Sequence, residues 1–216
     1  RNFGIYYATI AVENAFENLY NNKNGIGDNF KLMWMHIVKR FKDYNNVIGY
    51  EIFNEPFIGN LYKNPLTVLK SDLLINFYKK IHDGIRQIDD NGIIFYEAPT
   101  TDQIFDAMHG TPGGEKYNDR QIFSYHVYGY IGDPTDLRSA NRNCQKFFKH
   151  AMKKLERENV MGMLTEFGAI SGKESVSIDN MNFVLDLADT KLHSWAYWQY
   201  KYYGDYTTAA RPSEWE

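Results

Sequence analysis

The sequence predicts an α/β chain built on a parallel sheet. Three observations carry this. Apolar, β-leaning runs alternate with amphipathic helical stretches at a cadence of about 30–45 residues per βα unit. No connection between successive strands is short enough for a hairpin, so the strands must pair in parallel. Two of the strands end abruptly in a carboxylate, in Ile48-Gly49-Tyr50-Glu51-Ile52-Phe53-Asn54-Glu55-Pro56 and in Met161-Gly162-Met163-Leu164-Thr165-Glu166-Phe167-Gly168. Pro56 has no N–H for a ladder and restricts the residue before it to extended geometry, so the first of these strands stops there. Glu55 therefore stands at a strand's C-terminal end, where an α/β barrel keeps its catalysis. About five strands can be counted. A closed (β/α)8 barrel needs eight, in about 250 residues. Five strands fit part of such a barrel, with the first three units missing, or a complete open doubly wound sheet. Neither G-x-G-x-x-G nor G-x-x-x-x-G-K occurs, which weighs against a nucleotide-binding sheet.

The elements follow in order. Asn2–Tyr20 mixes apolar and amide residues without clean period and reads as a long loop with a short helix near Ala15–Leu19. Asn21–Asn29 is a Gly/Asn loop ending at a helix N-cap, Asp28 or Asn29. Phe30, Met33, Trp34, Ile37, Val38 and Phe41 then repeat at helical spacing. A strand over Val47–Asn54 is followed by a helix from about Pro65 to Ile88, with Leu69, Leu73, Phe77 and Ile81 on one face. Asn91-Gly92 breaks it. Strand Ile93–Ala98 leads to a Gly- and Pro-containing loop over Met108–Asp119. Strand Gln121–Tyr128, the loop Gly129–Pro134 and a long helix from about Thr135 to Asn159 come next. Strand Met161–Glu166, helix Ile178–Leu187 and strand Ser194–Tyr200 complete the order.

Composition bounds the class. The chain has 216 residues, of which 44% are hydrophobic, enough for one sizeable core in one domain. Its 17 Tyr and 14 Phe serve mostly as core, and aromatic-rich clefts also suit sugar rings. A net charge of −3 offers no electrostatic footprint for nucleic acid. No apolar run approaches the roughly 18 residues of a membrane helix. The lone cysteine, Cys144, excludes an internal disulfide and a thiolate metal cluster. It shares a helical face with Phe148 and with Ala151 or Leu155, and reads as a buried small hydrophobe. The chain begins with Arg1 and ends at Ser213-Glu214-Trp215-Glu216. Both ends read as cut, so the lack of a signal peptide carries no information about compartment.

Two carboxylates at two strand ends are the minimum equipment for cleaving a glycosidic bond. The retaining mechanism needs them about 5–5.5 Å apart. Glu55 and Glu166 are the candidates by position. Glu51, in mid-strand, is expected to be an interior packing partner. His126 and Tyr128 stand at i and i+2 of one strand and share a face. A tyrosine hydroxyl there can hold a carboxylate in place, although a buried His–Tyr pair that satisfies itself is an equal alternative. Asn54 offers an amide to a sugar hydroxyl. Trp195 and Trp198 are three apart on a strand and face opposite sides, with Trp198 the better floor for a sugar ring and Trp195 the expected helix-facing core. His36, His82, His109, His150 and His193 have no metal spacing and read as solvated surface. A G-x-S-x-G elbow is absent, which argues against Ser/His/Asp catalysis.

Taken as a set, Asn54-Glu55-Pro56, His126-Val127-Tyr128, Thr165-Glu166-Phe167-Gly168 and Trp198 resemble in order and spacing the motifs of glycoside hydrolase family 5, a group of retaining (β/α)8 glycosidases. Ala15-Phe16-Glu17-Asn18-Leu19-Tyr20, Met33-Trp34, Lys39-Arg40-Phe41, Ser124-Tyr125-His126 and Trp195-Ala196-Tyr197-Trp198-Gln199-Tyr200-Lys201 are similar to the endoglycoceramidase and endogalactosylceramidase branch of that family. The fold this implies is α/β, a partial TIM (β/α)8 barrel comprising about strands 4 to 8 with their helices. Residues 1–216 would then be a partial catalytic domain without the N-terminal βα units and the C-terminal β-sandwich. Phe57-Ile58-Gly59 stands where Trp-Pro-Gly is usual.

The resemblance also implies an activity: retaining hydrolysis of the O-glycosidic bond between oligosaccharide and ceramide in glycosphingolipids. In that reaction Glu166 is the nucleophile and Glu55 the acid/base. Tyr128 orients Glu166, and Asn54, His126 and Trp198 bind the sugar. No metal and no organic cofactor is expected. The partner is a glycosphingolipid or other β-glycoside, with transient membrane-surface contact through the substrate and no nucleic acid. Phe57, Ile58, Leu61 and Tyr62 would form an apolar lip for lipid, or else a helix-packing loop. The expected location is secreted or lysosomal/endomembrane. The alternatives are another family 5 β-glycanase or β-glucosidase acting on soluble glucan or mannan, and an inactive carbohydrate-binding remnant.

Overall fold

The computed structural model describes residues 3–69, 72–129, 136–168 and 175–199. In chain order the elements are helices α1 (Ile10–Tyr20) and α2 (Ile26–Phe41), strand β1 (Gly49–Glu51), helix α3 (Leu73–Arg86), strand β2 (Ile93–Glu97), the single turn α4 (Asp102–Phe105), strand β3 (Gln121–Val127), helix α5 (Leu137–Glu158), strand β4 (Met161–Gly168), helix α6 (Ser175–Asp189) and strand β5 (Trp195–Trp198). The strands form one sheet in the order β1-β2-β3-β4-β5, with β1–β2 and β4–β5 both parallel. The fold class is α/β, a partial (β/α)8 barrel. The Gly129–Pro134 loop beyond Gly129, the expected helix start at Thr135, Tyr200, Lys201 and the Ser213–Glu216 end lie outside the described residues.

The chain forms two compact units. One is Gly4–Phe123 with Leu155–Met161; the other takes in Ser124–Lys154 and the described residues from Gly162 on. In the first, α3 supplies the core. Leu74, Ile75, Phe77, Tyr78, Ile81 and Ile85 are buried at helical spacing, and Tyr20, Phe30 and Phe53 pack around Phe77. Gly49 lies opposite Ile93, and a Cβ on it would strike the Ile93 carbonyl oxygen, so the β1–β2 register needs glycine at that position. The indole N–H of Trp34 on α2 donates to the Ile52 carbonyl at 3.2 Å, tying the end of β1 to the helix layer.

Several elements differ from the sequence expectation, each for a local reason. α1 is twice the expected length because polar residues in it have partners that periodicity does not register. Glu13 accepts from the Leu61 N–H at 2.9 Å, Glu17 accepts from the Asn60 N–H at 3.1 Å, and the Asn60 amide donates to Asn14 at 2.7 Å. α2 starts at Ile26, two residues before the expected cap. Gly25, at φ 79°, is the N-cap residue, and the Asn22 side chain accepts the Asp28 N–H at 2.8 Å in place of a cap side chain. The expected helix from Pro65 resolves into a 3-10 turn, Pro65–Val68, and a separate helix from Leu73. Phe77 and Ile81 are buried as expected, but Leu69 is exposed. β1 is only three residues long, and Glu51 is exposed instead of packed inside.

The apolar lip is also corrected. Phe57 and Ile58 are buried with Ala107, and Tyr7, Phe16 and Leu61 pack against them. The Tyr20 hydroxyl donates to the Phe57 carbonyl at 2.6 Å. This segment is therefore a packing loop, and of the four residues only Tyr62 is exposed. His82 is buried in α3, not on the surface. His193 is half-buried, with its Nδ1 2.7 Å from the Tyr125 hydroxyl.

In the second unit α5 buries Ala140, Cys144, Phe148 and Ala151 along one stripe, and Cys144 is a fully buried small hydrophobe as expected. Phe148 and His193 pack against Tyr125 of β3. Phe167 of β4 meets Trp195 and Tyr197 of β5 edge-on. Trp195 is 47% exposed, so it is no core residue. Among the described residues no helix is long and apolar enough to cross a membrane.

Candidate active site

The chemistry-bearing residues sit at the C-terminal ends of parallel strands. In the second unit β4 carries Glu166 through an irregularity. Leu164 faces Trp195, but Phe167 faces Tyr197, so three steps along β4 match two along β5. Thr165 and Glu166 together oppose Ala196, which is a β-bulge, a device that re-aims a side chain next to a site. The register recovers at Gly168 and Trp198. Gly168 has φ 123°, and a Cβ there would lie 2.5 Å from the Trp198 carbonyl oxygen, so glycine is required for this close approach.

The end of β3 meets the Glu166 carboxylate from the side. The Tyr128 hydroxyl donates to Glu166 Oε2 at 2.7 Å, and Nδ1 of the buried His126 lies 3.5 Å from the same oxygen. The two rings stand nearly perpendicular, 6.3 Å apart, and each turns a polar atom to the carboxylate. A phenol donating to a carboxylate favours its charged form and fixes one oxygen. The other oxygen can then attack an electrophilic carbon. Trp198, at the end of β5, is 44% exposed and offers an indole face. The peptide bond that follows it, to Gln199, is cis.

In the first unit the chain leaves the β1 ladder at Glu51 and reaches Asn54 and Glu55 beside the end of β2. Asn54 is exposed and Glu55 half-buried. Glu55 holds φ 40°, the left-handed region that a non-glycine residue seldom enters. Its N–H donates to Glu97 Oε2 at 2.7 Å, and its carbonyl oxygen lies 3.5 Å from the Tyr7 hydroxyl. Glu97, the last residue of β2, is 6% exposed. Its backbone carbonyl accepts from the Tyr78 hydroxyl at 2.9 Å. Burial holds that phenol well above its ordinary pKa, with the Tyr20 and Glu97 charges adding to the effect, so it remains a donor.

The structure thus brings His126, Tyr128 and Glu166 together and sets Glu55 on a left-handed turn. The sequence reading missed Glu97. The signal was present: Ile93-Ile94-Phe95-Tyr96-Glu97-Ala98-Pro99 is a third apolar run that ends in a carboxylate just before a proline.

Comparison with known proteins places this architecture. The family model for cellulase (glycosyl hydrolase family 5) matches residues 6–204. The chain belongs to glycosyl hydrolase family 5. It is similar to an endoglycoceramidase of Cyanea nozakii, 36% identical over 208 residues, which cover 94% of this chain and 39% of that protein. An endoglycoceramidase of Hydra vulgaris is 34% identical over 203 residues, 92% of this chain and 37% of its own length. The chain thus spans under two-fifths of these curated relatives. Among solved structures, endo-glycoceramidase II from Rhodococcus sp. aligns with a TM-score of 0.73 at 19% identity, over 91% of this chain and 46% of that one. An endoglucanase aligns with a TM-score of 0.62 at 22% identity, over 87% and 62%. At such identities the structural likeness speaks for the fold alone.

Proposed function

We propose that this chain carries the catalytic carboxylates of a retaining glycosidase that hydrolyses the bond between oligosaccharide and ceramide. One observation carries the reading: a strand-end carboxylate, Glu166, held by a phenolic donor at 2.7 Å. In this reading Glu166 attacks the anomeric carbon and the sugar is held as a glycosyl ester. Glu55, protonated, gives its proton to the leaving oxygen and then takes one from the water that releases the sugar. Tyr128 keeps Glu166 ionised and oriented, while His126, Asn54 and Trp198 bind the sugar being cleaved. The residues themselves supply nucleophile, acid and base. The ceramide side of the assignment rests on the resemblance to endoglycoceramidases, and a soluble glucan is the competing substrate class. The proposal extends to a secreted or lysosomal/endomembrane location, which subcellular fractionation checks.

The test is covalent trapping. A 2-fluoro glycoside of a β-linked disaccharide should label Glu166, and Glu166→Gln should lose turnover by orders of magnitude while still binding substrate. Labelling of Glu51 or Asp102 would overturn the assignment. Parallel assays on a fluorescent glycosylceramide and on a cellooligosaccharide decide the substrate class.

A further inference from the structure

We infer that Glu97 is a positioning residue for Glu55: its carboxylate, at the end of β2, holds the Asn54-Glu55-Pro56 turn in the backbone conformation that presents the Glu55 side chain. The inference rests on the acid/base role proposed for Glu55.

Glu55 is a non-glycine residue at φ 40°, followed by a proline that narrows its choices further. Such a conformation persists only where the surroundings over-determine it. Ile52 N–H donates to the Phe95 carbonyl at 3.1 Å, and Thr100 N–H donates to the Pro56 carbonyl at 2.9 Å. These fasten the turn before and after, but neither acts on Glu55. Pro56 has no N–H, so the Glu55 N–H is the sole main-chain donor of the pair. The Glu97 side chain, reaching from the end of β2, accepts that N–H at 2.7 Å. A buried carboxylate is costly without such a donor, and a hydrogen bond to a charged oxygen is stronger than a neutral one. The contact also has a direction: it orients the Asn54–Glu55 peptide plane, from which the Glu55 Cα departs toward its side chain.

Glu97 therefore acts through Glu55 without touching the substrate. Its loss should mimic a weakened acid/base, not a lost nucleophile. The experiment compares Glu97→Gln, Glu97→Asp and Glu97→Ala in the full-length protein on two β-linked disaccharide glycosides, one with an alkyl leaving group and one with an acidic phenol. Glu55→Ala, with and without azide, is the benchmark. Glu97→Gln keeps an acceptor oxygen in place and should stay close to wild type on both substrates. Glu97→Asp withdraws the oxygen by one methylene. It and Glu97→Ala should lose about 10²-fold in kcat/KM on the alkyl glycoside, the cost of misplacing a reacting group by about 1 Å, and far less on the phenol.

Should Glu97→Ala fail to fold, the Asp and Gln variants decide. Equal losses on both substrates, no loss in Glu97→Asp, or a Glu97→Gln variant as impaired as Glu97→Asp would overturn the inference. If instead Glu55→Ala itself shows no leaving-group dependence and no azide rescue, the acid/base reading fails, and the positioning role falls with it. The two failures are thereby distinguishable.

Discussion

The Tyr128 hydroxyl and the Glu166 carboxylate form a single short contact, and its removal is a clean measurement because the ring can stay. Tyr128→Phe deletes one hydrogen bond to a charged group, worth about 1.5–3 kcal/mol, which is a loss of roughly ten- to a hundredfold in kcat. Substrate binding and the melting temperature should change little, since Tyr128 is only half-buried and the ring packing survives. Single-turnover kinetics would check this. A fall in KM-type binding with kcat intact would instead make Tyr128 a sugar contact. The sequence was informative about which residues share a strand face. Period two put His126 and Tyr128 on one face, and the stop at Gly168 put Glu166 near the end of β4, whereas β1 ends at Glu51, short of the expected Asn54. What period two could not report is the register shift between Leu164 and Phe167, because an inserted residue changes no residue type. The left-handed turn at Glu55 was equally hidden, since the side chain that accepts its N–H, Glu97, comes from another strand.

Helix α3 combines an apolar stripe with a buried titratable ring, and the ring makes its stability depend on pH. Arg86 Nε donates to His82 Nε2 at 3.2 Å, which requires a lone pair on that nitrogen; Nδ1 then faces Asp83 at 3.2 Å. Burial lowers the His82 pKa most, the Arg86 charge lowers it further, and Asp83 opposes both. The unfolded chain therefore binds the proton more readily than the folded one, and stability rises with pH. The His82 contribution is complete above the unfolded value of about 6.5 and is lost as pH falls below it. His193 is lowered too, by burial and then by Lys191, and adds to the same trend. Urea midpoints between about pH 7.5 and 5 should fall for the parent protein. In His82→Gln, whose amide oxygen still accepts from Arg86, the decline should be shallower, though not absent because of His193. Parallel curves for the two proteins would refute the role of His82. The sequence placed α3 by its Phe77 and Ile81 spacing but read His82 as surface, because nothing in the local pattern shows Tyr117 packing against the ring at 4.6 Å. α1 was under-read for the complementary reason. Its Glu13 and Glu17 look like solvated charges until the turn at Asn60 and Leu61 arrives to use them as acceptors.

Among the described residues the sheet has two open edges. β1 pairs with β2 alone and β5 with β4 alone among the described residues. In a closed barrel the first and last strands pair, and no edge remains. Here Ile48, just ahead of β1, is 68% exposed, and Trp195 and Trp198 on β5 are 47% and 44% exposed. Apolar side chains beside unpaired N–H and C=O groups are a template for adding strands from other molecules. The count of five strands was legible in the sequence, and so was its shortfall against the eight of a barrel; edge exposure follows from that arithmetic. Residues 1–216 expressed by themselves should therefore aggregate or melt over a broad range without a cooperative transition, and should cleave no glycoside. The same residues preceded by three further βα units should be soluble and melt cooperatively. Light scattering, calorimetry and a fluorescent glycosylceramide assay on the two proteins side by side make the comparison. A soluble, cooperatively melting and active 216-residue chain would mean that these edges are protected by some other means and that five strands suffice for the site.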